Sequence, residues 1–196
     1  ELPPPEKLED LLAELDTYIG LDVVKDEVRS LINMVQVYKM RREHDLPTTD
    51  MSLHMVFTGN PGTGKTSVSR LMGELLQSMD ILPTKKVIET SRATMVGKYM
   101  GETPKLVNKL CDQALGGVLF IDEAYNICNG DDQYGKEAVD TLMKRMEDDR
   151  GKFVVIVAGY KDRMEMFLNT NPGLASRFTH RLHIDDYNED ELVSIF

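Results

Sequence analysis

Residues 59–67, "GNPGTGKTS", stand between the apolar run "LHMVF" and the helical pattern "VSRLMGELLQ". Three glycines, a proline and a lysine within eight positions add almost nothing to a core. They do bare backbone amides. Gly59, Gly62 and Gly64 tolerate backbone angles that a Cβ forbids, so successive N–H groups can converge on one anion. The helix that follows aims the positive end of its dipole at the same point. The stretch fits G-x-x-x-x-G-K-[ST] with Gly59, Gly64, Lys65 and Thr66, a pattern that carries weight where a strand runs into a helix. In that reading the amides of residues 62–67 hold phosphates, Lys65 reaches the β and γ oxygens, and Thr66 ligates Mg2+. Asn60, Pro61, Thr63 and Ser67 complete the candidate ATP-binding set. The bland alternative is a tight turn with an incidental lysine.

The rest of the chain alternates in the same way. Val24, Val28, Leu31, Val35 and Tyr38 recur every three or four residues, one face of a long amphipathic helix ended by "LPTTD". "LHMVFT", "KKVIETS", "GGVLFID", "KFVVIVAG" and "HRLHID" read as strands. Between them, "TSVSRLMGELLQSM", "TPKLVNKLCDQAL" and "KEAVDTLMKRMED" read as helices. Apolar strands without polar alternation, separated by helices, predict an α/β fold whose parallel sheet is covered on both faces. Residues 1–6, Pro-rich, are expected to be a linker, residues 7–187 one nucleotide-binding unit, and residues 188–196 the start of a further helix capped by Asn188.

A carboxylate pair follows the third strand in "GGVLFIDEA", residues 116–124. Unpaired charge is too costly to bury, so the pair must face outward. At the carboxyl end of a parallel strand, outward means the ligand crevice. Asp122 is then expected to hold Mg2+ and Glu123 to orient and deprotonate the attacking water; a solvated strand end is the alternative. The net charge of -10 opposes a general nucleic-acid surface, which needs a basic face. Cys111 and Cys128 have no metal-ligand spacing, and free thiols suit a reducing cytoplasm. No apolar run reaches membrane-spanning length, and the first residues lack the pattern of a signal peptide.

"GNPGTGKT", "VLFIDEA" and "NPGLASRF" occur here in the order found in AAA+ ATPases, and the chain resembles that family over about residues 8–196. The longer strings "GGVLFIDEAY" and "VVIVAGY" are similar to the branch that contains red-type Rubisco activase, stage V sporulation protein K and the type VII secretion ATPases. The resemblance implies a P-loop NTPase sheet in the order 5-1-4-3-2, a helical lid beyond it, and homohexamers with nucleotide between subunits. It implies that Ile19 and Gly20 of "YIG" pack near adenine, although a plain helix-to-helix turn explains Ile19 as well. Arg177 of "SRF" resembles the arginine finger that reaches a neighbour's γ-phosphate; a surface ion pair is its other reading. Arg181 is one position out of the usual spacing. Tyr160 stands where most members have asparagine, and either orients water through its hydroxyl or packs. "VGKYMGET", residues 96–103, is similar to the pore loop of protein-threading members, with Tyr99 as the gripping ring beside Lys98 and Met100.

The expectation is therefore an ATP-hydrolysing domain that remodels a protein partner. A DNA-directed loader and an ATP-gated scaffold without turnover are the rivals. The acidic balance opposes the first and Glu123 the second.

Overall fold

A strand with two apolar faces needs helices on both sides, and the computed structural model supplies them. It describes residues 7–17, 22–48, 51–60, 62, 64–186 and 189–195. Five strands form one sheet: β1 (Met55–Gly59), β2 (Val87–Thr90), β3 (Val118–Ile121), β4 (Val154–Gly159) and β5 (His180–Ile184). Their spatial order is β2-β3-β4-β1-β5 and every pairing is parallel, as the sequence predicts. In the register, Met55 lies beside Ile156 and His180, and Ile121 lies between Thr90 and Val157.

The period of two along β1 to β4 divides their residues between two cores, while β5 turns Leu182 and Ile184 to the first alone. Met55 and Phe57, Val118 and Phe120, and Val154 and Ile156 face one side. There they meet α1 (Leu8–Thr17), α2 (Asp22–Glu43) and α3 (Lys65–Ser78) through Leu11, Leu15, Val28, Val35, Leu71 and Leu75. Val56, Leu119, Ile121, Val155 and Val157 face the other side. A short α4 (Arg92–Met95) leads there to α5 (Glu102–Ala114), α6 (Gln133–Asp148), α7 (Lys161–Asn169) and α8 (Pro172–Arg177). Val107, Leu142, Met164, Phe167 and Leu174 close that core. Each such side chain contributes about 1.5–3 kcal/mol by leaving water. A last helix, α9, spans Glu189–Ile195.

Four helices go beyond the sequence reading: α1, α4, α7 and α8. Leu8, Leu11, Leu12 and Leu15 of α1 do carry helical spacing. α8 is short, but Asn171 caps it by accepting the Gly173 N–H at 2.9 Å, and Pro172 opens it. Tyr38 is only half-buried, at the edge of the face that buries Val24, Val28, Leu31 and Val35.

Because all five strands run the same way, their carboxyl ends share one edge. The chain passes from β1 to the distant β2 and returns through β3 and β4 to β1's side. That reversal opens a crevice beside β1.

Candidate functional site

A cleft of about 380 Å³ occupies this crevice. From β1 and α3 it takes Gly59, Gly62, Gly64, Lys65, Thr66 and Ser67; from the end of β3, Asp122, Glu123 and Tyr125; from β4, Gly159 and Tyr160. Pro61 and Thr63 lie outside the described residues, as do Ile19 and Gly20.

Gly64 precedes α3 with φ 93° and ψ 18°, a left-handed conformation that a Cβ would strain. Its carbonyl accepts from Val68 N–H at 2.9 Å, which leaves the amides of Lys65, Thr66 and Ser67 as helix-start donors without partners inside the helix. The Lys65 ammonium donates to the carbonyls of Gly59 and Asn60 at 2.9 and 3.0 Å. Burial in the cleft draws its pKa below the ordinary lysine value, while Asp122 and Glu123 pull the other way. A phosphate would give this cation a full negative charge in place of two neutral carbonyls.

Asp122 continues the β2–β3 ladder for one more residue, its N–H donating to Thr90 O at 3.0 Å. Its Oδ1 accepts the N–H of Glu123 at 3.0 Å. Glu123 itself is left-handed, φ 49° and ψ 47°, which costs a non-glycine residue about 1–3 kcal/mol. Buried Ile121 before it and buried Ala124 after it hold the chain in that bend, and a 3-10 turn over Ala124–Asn126 follows. Both carboxylates are exposed to the cleft, and Asn126 Nδ2 donates to Glu123 Oε2 at 3.3 Å.

Tyr125 and Arg163 are contacts the sequence reading missed. The Tyr125 ring lies 6.4 Å from that of Tyr160, and the Arg163 guanidinium covers both. Tyr125 had a signal, since it stands two residues after Glu123 of the acidic pair. Arg163 had none, because its place depends on how α7 packs.

Arg177 does not line the cleft. At the end of α8 it donates to Gly173 O at 3.2 Å, lies 4.0 Å from Glu147, and buries Nε without a partner among the described residues. Arg181 is exposed on the edge strand β5. Tyr99 and Met100 are 74% and 90% exposed on the loop between α4 and α5. Glu102 shapes that loop by accepting the N–H groups of Lys98 and Tyr99 at 2.8 and 3.2 Å, and buried Thr103 accepts Gly97 N–H at 2.9 Å. A second hollow of about 620 Å³, with Arg92, Gly97 and Lys98 on its wall, joins this loop to Asp122 and Glu123.

The described residues contain no group of three His, Cys, Asp or Glu that could cage a metal. Mg2+ needs no such cage. It is held through one or two carboxylates together with waters and phosphates, so Thr66 and Asp122 in one cleft fit it. No helix among the described residues is long and apolar enough to cross a membrane.

Residues 55–186 match the model of the ATPase family associated with various cellular activities (AAA). The chain is 41% identical over 189 residues to stage V sporulation protein K of Bacillus subtilis, covering 96% of this chain and 59% of that protein. It is 43% identical over 187 residues to ESX-1 secretion system protein EccA1 of Mycolicibacterium smegmatis, covering 93% and 33%. It is also 42% identical over 189 residues to plasmid protein CbxX of Cupriavidus necator, covering 95% and 60%. The chain thus spans 33% to 60% of these relatives' lengths. Among solved structures, the FIGL-1 AAA domain in complex with ADP superposes with a TM-score of 0.62 at 19% identity, over 100% of this chain and 61% of that one. At that identity the likeness is one of fold.

Proposed function

Because the chain belongs to the AAA family of ATPases, we propose that it hydrolyses ATP and couples turnover to the remodelling of a protein partner, as part of a homohexameric ring. One observation carries the catalytic half: Lys65, Thr66, Asp122 and Glu123, from two separate stretches of sequence, line a single cleft at the start of α3. Phosphoryl transfer needs little covalent help from a protein; it needs positioning and charge stabilisation. The amides of residues 62–67 cradle the phosphates, and Lys65 leaves its two carbonyls to pair with the β and γ oxygens. Thr66 and Asp122 hold Mg2+, which offsets phosphate charge when bound. Glu123, fixed by its left-handed bend, orients the attacking water and takes its proton. Arg177 of a neighbouring subunit meets the γ-phosphate, in keeping with its place outside its own cleft. The exposed Tyr99 ring, on a loop held by Glu102 and Thr103, suits a grip on an extended segment of the partner.

Two variants of the full-length protein test the catalytic half. Lys65→Ala is expected to weaken ATP binding, because the phosphates lose their principal cation. Glu123→Gln is expected to keep ATP bound and stop phosphate release, because an amide cannot take the proton. Equal loss of ATP binding in both variants would remove Glu123 from the role of base.

A further inference from the structure

Arg163 belongs to none of the motifs read in the sequence. Its guanidinium carbon lies 5.0 Å from the centroid of the Tyr125 ring and 5.6 Å from that of Tyr160. The two rings are 6.4 Å apart and tilted by 40°. Both stand on the cleft wall with Lys65, Asp122 and Glu123. Tyr125 arrives there from the turn after β3, Tyr160 from the end of β4, and Arg163 from the first turn of α7. One cation therefore spans rings anchored on two different strands. No carboxylate among the described residues pairs with it, so the rings are its partners.

The arrangement is braced from behind. A Cβ on Gly159 would fall 2.8 Å from Tyr125 Cε1 and 2.9 Å from Met164 Sδ, so the Tyr125 ring lies directly against the backbone that delivers Tyr160. The carbonyl of Tyr160 accepts Met164 N–H at 2.8 Å, which ties that backbone to α7. The two rings differ in their surroundings: Tyr125 is 9% exposed and Tyr160 is 36% exposed. Tyr125 is the packed member and Tyr160 the one open to a ligand. A cation over a phenol ring attracts its π electrons and leaves the hydroxyl a stronger donor. A fixed donor beside a site of developing negative charge lowers a barrier because it needs no reorganisation.

We propose that Arg163 is a positioning residue for hydrolysis: it clips Tyr125 to Tyr160 and holds the Tyr160 hydroxyl as a hydrogen-bond donor to the terminal phosphate. This rests on the ATPase reading above and assigns the part of the cleft wall formed by Tyr125 and Tyr160 a role in it.

The test uses the full-length protein carrying Arg163→Met, Arg163→Lys, Tyr160→Phe, or Arg163→Met together with Tyr160→Phe. Steady-state turnover, affinity for ADP, affinity for ADP with aluminium fluoride, and melting temperature are measured for each. Arg163→Met is expected to lower kcat by about tenfold, the scale of losing two ring contacts to one cation. KM and ADP affinity should stay near wild type and the melting temperature should fall by only about 2–5 °C, while affinity for ADP with aluminium fluoride falls with kcat. Tyr160→Phe should lose as much, the double variant no more than either, and Arg163→Lys should recover part, since an ammonium also seats on ring faces. Wild-type kcat in Arg163→Met, or losses that multiply in the double variant, would overturn the clip. So would a fall in ADP affinity and melting temperature in step with kcat, which marks a purely structural contact. A wild-type protein without turnover would refute the ATPase reading instead. The clip would then stand or fall on the aluminium fluoride affinities alone.

Discussion

His54 precedes β1 and is 6% exposed, wedged between Phe153 and Phe178 at ring distances of 6.1 and 6.2 Å. Its Nδ1 accepts the N–H of Val155 at 2.9 Å, completing the edge where β4 begins. A protonated imidazole could not accept that bond. Burial pushes the His54 pKa from 6.5 down to about 4, and the charges of Arg150 and Arg177 push the same way. The sign follows directly. Above the unfolded value both states hold the ring neutral, so the full stability is present. As pH falls below 6.5 the unfolded chain takes up a proton that the folded chain refuses, and stability drains until the folded value is reached. At about 1.4 kcal/mol per unit, the whole shift amounts to about 3 kcal/mol, of which about 2 kcal/mol is lost by pH 5. Urea unfolding of wild type and His54→Asn at about pH 7.5 and about pH 5 isolates this amount from other titrating groups. Asparagine is chosen because its carbonyl can accept from Val155 without titrating. The variant is expected to be the less stable protein at neutral pH and the less acid-sensitive one. Parallel pH dependence in the two proteins, or an imidazole NMR midpoint near the ordinary histidine value, would refute the reasoning.

Arg177→Ala is expected to spare ATP binding and abolish turnover, and mixing its subunits with Lys65→Ala subunits should restore some phosphate release, because some interfaces would regain both parts; a finger in trans is worth about 10³–10⁵ in rate. No recovery despite proven co-assembly would exclude the trans arrangement. Tyr99→Ala should shift the melting midpoint only slightly, since the ring is 74% exposed, whereas truncating a buried aromatic costs about 3–5 kcal/mol. Partner remodelling should fail in the same variant, and remodelling at the wild-type rate would remove Tyr99 from the gripping role.

The glycine-rich turn before α3 and the acidic pair after β3 were legible in the sequence because their geometry is local. Gly64 must be glycine to take its left-handed turn, and Lys65 follows it on the same helix start. Asp122 and Glu123 could be placed at a strand end from the four apolar residues before them. Strands β1, β3 and β4 were legible because their apolar runs fill both cores, whereas β2 and β5 are shorter on buried residues and β5 serves one core alone, through Leu182 and Ile184. The helix α7 was not, since "KDRMEMFLN" buries only Met164, Phe167 and Leu168 and those positions acquire meaning only against the sheet. Glu123's bend was hidden as well. No residue type announces a left-handed glutamate, and this one sits between buried Ile121, two residues before it, and buried Ala124, next to it, with its carbonyl accepting the Asn126 N–H.

Sequence by itself thus determined which segments run parallel, that a glycine-rich turn opens the helix after β1, and that two carboxylates end β3. These follow from backbone freedom, side-chain period and the cost of burying charge, all of which act over a few neighbouring residues. Tertiary structure alone decided that Asp122 and Glu123 share a cleft with Lys65, that Arg177 stands outside it, and that Arg163 covers Tyr125 and Tyr160. Those outcomes depend on strand order and helix packing, which bring together residues tens of positions apart, and no local rule ranks one such meeting above another.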